Sequence, residues 1–233
     1  MLKTLFSTVP CENQIHLFGL EHLTVLTSSI ILAFLMIRHK KESIPLEKIL
    51  TLIILGIQLI LYGWYYLSPE SFFIKALPLY TCRLVLYLYI GGIFFKNKFC
   101  LKLATYWGFF GGIAGLLFPV IFEYPFPHVL QIATFMLHMY IFLISANYLF
   151  VKKIGMNKED TKMCSKCTVA FLTFTTVFNV IFGTNYTSTL GTVVRLNNFV
   201  FEVPTSICFT VVTVGYLIAI FIQHKIVEKY TKN

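Results

Sequence analysis

The sequence predicts an all-α, polytopic membrane helix bundle of about seven transmembrane helices, N-terminus outside and C-terminus cytosolic. Three observations carry that prediction. Of 233 residues, 57% are hydrophobic and only 12% charged, whereas a soluble domain usually has about a quarter of its residues charged. The apolar residues fall into seven runs of about the 20 residues that a hydrocarbon core requires. The basic residues behind the net charge of +9 sit between those runs rather than on one face. That spacing suits orientation in a bilayer and argues against nucleic acid as a partner.

The runs are justified in order. The first, 15–37, has Glu21 and His22 near its start and ends on Arg38 and a basic stretch. The second, 49–68, has Gln58 near its middle and closes on YGWYYL, an interfacial aromatic belt. The third, 76–95, begins around Pro78 and carries Cys82 and Arg83 in its first turns. The fourth, 103–122, contains GFFGGIAG, Gly108 to Gly115, a small-residue pattern that lets helices approach closely; packing is its expected role. The fifth, 128–151, follows Pro127 and has Gln131 and His138 on one face, since they are two helical turns apart. The sixth, 167–186, has Asn179 and Asn185 near its end, and the seventh, 203–223, starts at Pro204. Proline at such starts loses an N–H that has no helical partner anyway. Together the runs form one integral membrane domain over 1–233, with 187–202 read as a loop or a short re-entrant piece.

Lysine and arginine then set direction. Arg38, Lys40, Lys41 and Lys48 follow the first span, and Lys96, Lys98 and Lys102 follow the third. Lys152, Lys153, Lys158, Lys162 and Lys166 follow the fifth, and Lys225, Lys229 and Lys232 end the chain. Fifteen of the 19 basic residues therefore lie on one side, against Lys3, Lys75 and Arg195 on the other and Arg83 within a span. The positive-inside rule makes the rich side cytosolic. The opening MLKTLFSTVPCENQ lacks an apolar stretch followed by a small-residue cleavage site, so no cleavable signal peptide is expected. Of the six cysteines only Cys11 lies wholly in an outer segment, and most of the others sit in apolar runs, where cysteine behaves as a small hydrophobe. CSKC, Cys164 to Cys167, has no second pair near it, so neither a metal site nor a cofactor is expected.

Polar residues gather in the outer halves of the spans: His22, Cys82, Arg83, Gln131, His138, Asn179 and Asn185. An ionisable group at membrane depth needs a partner or a task, and a cluster of them implies a cavity facing the outer leaflet or the outside. By helical rise Cys82 lies about 8 Å below the outer surface and His138 about 15 Å, a gap that spacing alone does not close. A cysteine and a histidine together suit acyl transfer: a base takes the thiol proton, the thiolate attacks, and a thioester splits a hard step into two. Arg83, beside the cysteine, would favour the anion or reach for lipid phosphates.

LPLYTCRL resembles the proline–leucine–x–x–cysteine signature of the transmembrane protein 164 family, a group that includes YwaF-type membrane proteins. Gly108 to Leu143, with its glycine-rich helix, proline-containing loop and histidine helix, resembles the same family, as do LFGLEHLTVL and FGTNY. The resemblance implies a membrane acyltransferase that moves a fatty acyl chain onto a lysophospholipid, with the catalytic roles on Cys82 and His138; a related lipid hydrolase would use the same pair. It also draws in Tyr80, which stands where family members often have a histidine, and Arg83, which stands where they often have an acid. The expected partners are a phospholipid or lysophospholipid substrate and membrane lipids; the expected site is a multi-pass protein of the plasma membrane if bacterial. Arg83, Gln131, His22, Asn179, Asn185 and Tyr80 are the expected substrate-binding residues. Two other readings stay open: a transporter or binding component that uses the same cavity, and an interaction partner in which Cys82 is inert.

Overall fold

The computed structural model describes residues 2–10, 16–39, 44–68, 72–120, 122–196 and 199–231. Cys11, Ile15, Lys40, Lys41 and Lys232 lie outside them. In chain order the helices are α1 (Leu2–Leu5), α2 (Leu20–His39), α3 (Ile44–Leu67), α4 (Phe72–Lys75), α5 (Thr81–Phe94) and α6 (Lys98–Leu117). There follow α7 (Val129–Ala146), which continues as a π-helical turn over Asn147–Val151, α8 (Lys158–Phe182) and α9 (Thr205–Thr231). Six of these are long and apolar enough to cross a membrane, so the chain is an integral, multi-pass membrane protein. Its lipid-facing surface is apolar, with Ile30 and Phe34 of α2, Val180 and Ile181 of α8 and Phe221 of α9 exposed.

Two expectations change. The third run is not a full-length helix. Pro78 disfavours helical geometry at Leu77 before it, the chain turns through 76–80, and α5 begins only at Thr81. Its 14 residues rise about 21 Å, against a hydrocarbon core of about 30 Å. The segment 187–202 is neither plain loop nor re-entrant helix: after a 3₁₀ turn (Tyr186–Ser188) it forms an antiparallel hairpin of β1 (Thr192–Leu196) and β2 (Phe199–Val203), with Thr192 paired to Val203 and Leu196 to Phe199. Valine and phenylalanine dominate both strands, and such residues suit a pleated ribbon.

Helix α6 packs on α5 and α7, α3 and α2 pack on α7, and α8 pairs with α9. The core between α5, α6 and α7 is sealed by Val85, Leu86, Tyr89, Ala104 and Ile141. Close approach of α6 and α7 is a glycine effect. A Cβ on Gly108 would strike the Ser145 hydroxyl, and one on Gly112 would come within 2.8 Å of the Phe142 backbone. At the lysine-rich end Asn157 and Asp160 form a reciprocal cap on α8, and Lys102 of α6 bonds Asp160. Glu47, buried there, accepts from Asn147, Tyr148 and Lys152, each at 2.8 Å.

Candidate functional site

The late start of α5 decides the site. Cys82 sits in its first turn, just after the chain that turns through 76–80. It borders the same cavities as His138, which is more than two turns into α7. The thiol and the imidazole thus border one shared space. Tyr80 is the N-cap of α5 and its side chain makes no capping bond. The first intrahelical bond runs from Leu84 N–H to the Tyr80 carbonyl at 3.0 Å. The N–H groups of Thr81, Cys82 and Arg83 are thus the donors that a helix leaves without an intrahelical partner.

His138 is oriented by its own helix. Its Nδ1 lies 2.8 Å from the Thr134 carbonyl. A carbonyl only accepts, so Nδ1 carries the proton in this bond and Nε2 of the neutral ring is left as the basic nitrogen. Gly115 of α6 faces the other side of the ring: a Cβ there would overlap Cδ2 and Nε2. The glycine run therefore has two faces. Gly108 and Gly112 let α7 approach, while Gly115 makes room for His138 and Gly111 leaves room for a Cβ in ordinary contact with the Tyr216 hydroxyl at 3.8 Å.

Two cavities meet at Tyr80, Cys82 and His138. One, of about 440 Å³, holds the charged side chains Lys75, Arg83 and Glu123, together with Gln58 and Tyr65, among apolar walls, and is the more polar of the two. The other, of about 320 Å³, has no charged side chain besides the shared His138; its walls are Val85, Trp107, Gly111, Gly115, Phe118 and Ile141, with the hydroxyl residues Thr81, Thr187, Ser188 and Tyr216. Both volumes lie in the range of small-molecule sites.

Arg83 is buried, at 7% exposure, in a tyrosine cage. Its guanidinium carbon lies 5.0 Å from the Tyr80 ring, 5.5 Å from Tyr62 and 5.7 Å from Tyr65. It donates to the Lys75 carbonyl at 2.6 Å and to the Leu77 carbonyl at 3.4 Å. Irregular backbone is tolerated at membrane depth only where its groups are satisfied or line a cavity, and Arg83 serves the turn before α5 in that way. Among the described residues no carboxylate forms an ion pair with it.

The other expected binding residues are not brought to this junction. His22 clasps two elements: its Nδ1 accepts from Phe18 N–H at 2.9 Å, so its Nε2 donates to the Leu116 carbonyl at 2.6 Å. Gln131 donates to the Tyr124 carbonyl at 3.1 Å and holds the chain before α7 at that residue. Asn179 donates to the Tyr186 carbonyl and the Thr189 hydroxyl and accepts from Thr184 and Tyr186 N–H. Asn185 accepts from Leu190 N–H at 3.1 Å. Each satisfies backbone groups or hydroxyls of nearby loops and helix ends. Sequence reasoning did not single out Thr134, Gly111, Gly115, Lys75, Glu123 or Tyr216. The i, i+4 spacing of Gly111 and Gly115, offset from Gly108 and Gly112, was the one available signal.

The model of the TMEM164 family matches residues 17–226. Neither a curated protein nor a solved structure matches the chain.

Proposed function

The chain belongs to the TMEM164 family, and from that premise we propose that it is a membrane-embedded acyltransferase that carries a fatty acyl group as a thioester on Cys82. The observation that carries the reading is the junction itself, where a cysteine at a helix N-terminus and a histidine with its basic nitrogen free meet between a polar and an apolar cavity. That is the pairing of nucleophile, base and orienting group that covalent catalysis needs, with the Thr134 carbonyl in the orienting position.

In the first half-reaction His138 Nε2 takes the Cys82 proton and the sulfur attacks the ester carbonyl of a phospholipid. A C–S bond forms, the C–O bond to the glycerol breaks, and His138 returns the proton to the departing alkoxide. The N–H groups at the start of α5 are donors aimed at the negative charge that develops beside Cys82. In the second half-reaction a lysophospholipid hydroxyl attacks the thioester. Its proton passes through His138 to the leaving sulfur, a C–O bond forms and the C–S bond breaks. Water as acceptor would give the corresponding hydrolase. Arg83 and Lys75 give the polar cavity the charge to receive a lipid phosphate. With the orientation that the lysines imply, that cavity opens toward the outer leaflet.

The test is acylation itself. Purified protein incubated with mixed phospholipids should gain a hydroxylamine-sensitive mass increment, absent in Cys82→Ser because a serine hydroxyl is a far poorer nucleophile. His138→Ala should slow its appearance by about 10²–10⁴-fold through loss of general-base help. If no donor lipid yields an increment that vanishes in Cys82→Ser, covalent catalysis falls and the cavity becomes that of a binding or transport component.

A further inference from the structure

From the apolar cavity we infer that it is the acyl-chain subsite, entered sideways from the bilayer, and that Gly111 on its wall and Trp107 at its floor set the chain length accepted. The inference rests on the acyl-enzyme reading and adds where the chain goes. The cavity lies on the α6 and α9 side of Cys82, opposite the cavity that holds Lys75, Arg83 and Glu123. A phospholipid ester under attack by Cys82 has its two ends divided between them: the charged headgroup on one side, the hydrocarbon chain on the other. Removal of apolar surface from water favours the same division.

The wall is built for a narrow guest. From Phe118 to Trp107 helix α6 rises about 16 Å, and the side chains it offers to the cavity are Phe118, Gly115, Ala114, Gly111 and Trp107. Phe118, 70% exposed, and the exposed Ala114 stand at the open side, and the exposed Ser188 borders the same cavity. Gly115 is needed for the His138 ring, but Gly111 meets nothing closer than the Tyr216 hydroxyl, so its missing side chain is free volume in the cavity. The far end is closed by Trp107, which is buried, donates its indole N–H to Thr168 at 2.8 Å and packs at 5.4 Å from the Phe171 ring. A fixed floor and a side-chain-free wall make a ruler rather than an open groove.

The experiment uses the full chain in lipid nanodiscs. A lysophospholipid with a diazirine at the end of a long acyl chain is irradiated with Cys82→Ser protein, so that binding is read without catalysis. Crosslinks are expected on peptides holding Trp107, Gly111 or Tyr216, and reduced at least fivefold in the Cys82→Ser, Gly111→Leu double variant. With Cys82 intact, Gly111→Leu should lower the mass increment from long-chain donors at least tenfold relative to short-chain donors. Crosslinks confined to lipid-facing residues or to the polar cavity would overturn the assignment, as would an unchanged long-to-short ratio in folded Gly111→Leu protein. Crosslinks at the expected peptides with no increment on wild type would uphold the chain subsite and end the acyl-enzyme reading instead.

Discussion

Gly115→Ala is the sharpest test of the orientation of His138, because it changes one carbon and touches one ring. A Cβ on Gly115 would overlap Cδ2, Cγ and Nε2 of His138. The ring is tethered on its other nitrogen by the Thr134 carbonyl at 2.8 Å. It can relieve the overlap only by leaving that carbonyl or by swinging Nε2 away from Cys82. A displacement of about 1 Å at a catalytic group costs on the order of 10²-fold in rate, which is about 2.7 kcal/mol of barrier. Overpacking costs about 1–3 kcal/mol of stability, and the better helix propensity of alanine offsets up to about 1 kcal/mol of it. The variant should therefore fold and acylate roughly a hundredfold more slowly. Gly56→Ala is the control, since nothing lies within 4 Å of its Cβ. The assay is the rate of hydroxylamine-sensitive mass gain, with thermal melting in detergent alongside. Acylation by Gly115→Ala within threefold of wild type would refute the argument that this ring position matters.

The remaining predictions concern the frame around the site. Asn179→Leu strands the Tyr186 N–H and carbonyl and the Thr184 hydroxyl, and each buried group left unpaired costs about 1–3 kcal/mol. Its melting temperature should drop while the labelling rate of the remaining folded protein stays close to wild type; a large loss of labelling without destabilisation would mean that Asn179 serves the site. Glu47→Leu leaves Lys152 uncompensated where the two are paired at 2.7 Å, a loss of about 3–5 kcal/mol. Adding Lys152→Met should restore much of it, and equal instability of the single and double variants would show that the pair is not the source. For orientation, an impermeant thiol reagent should modify Ser188→Cys in intact cells and miss Lys158→Cys, both positions being exposed; the reverse pattern would move the polar cavity to the cytosolic leaflet.

The sequence by itself determined that this chain is a bundle of apolar helices in a membrane, because span length and the exclusion of charge from hydrocarbon are constraints that each segment meets alone. It also singled out Cys82, Arg83 and His138, since chemically capable side chains inside apolar runs need an explanation that neighbours in the chain do not supply. Tertiary structure decided which polar residues share a cavity. His22, Gln131, Asn179 and Asn185 were legible as polar groups at similar depth, but helix rotation and the unmet hydrogen bonds of nearby loops turn them toward Leu116, Tyr124, Tyr186 and Leu190. The start of the third helix was misplaced, because hydropathy counts Ala76 to Tyr80 as helix while Pro78 and the turn around it delay α5 to Thr81. The meeting of Cys82 with His138 comes from that delay and from the missing side chain of Gly115. Both are facts of how α5, α6 and α7 pack, and no spacing within any one helix encodes them.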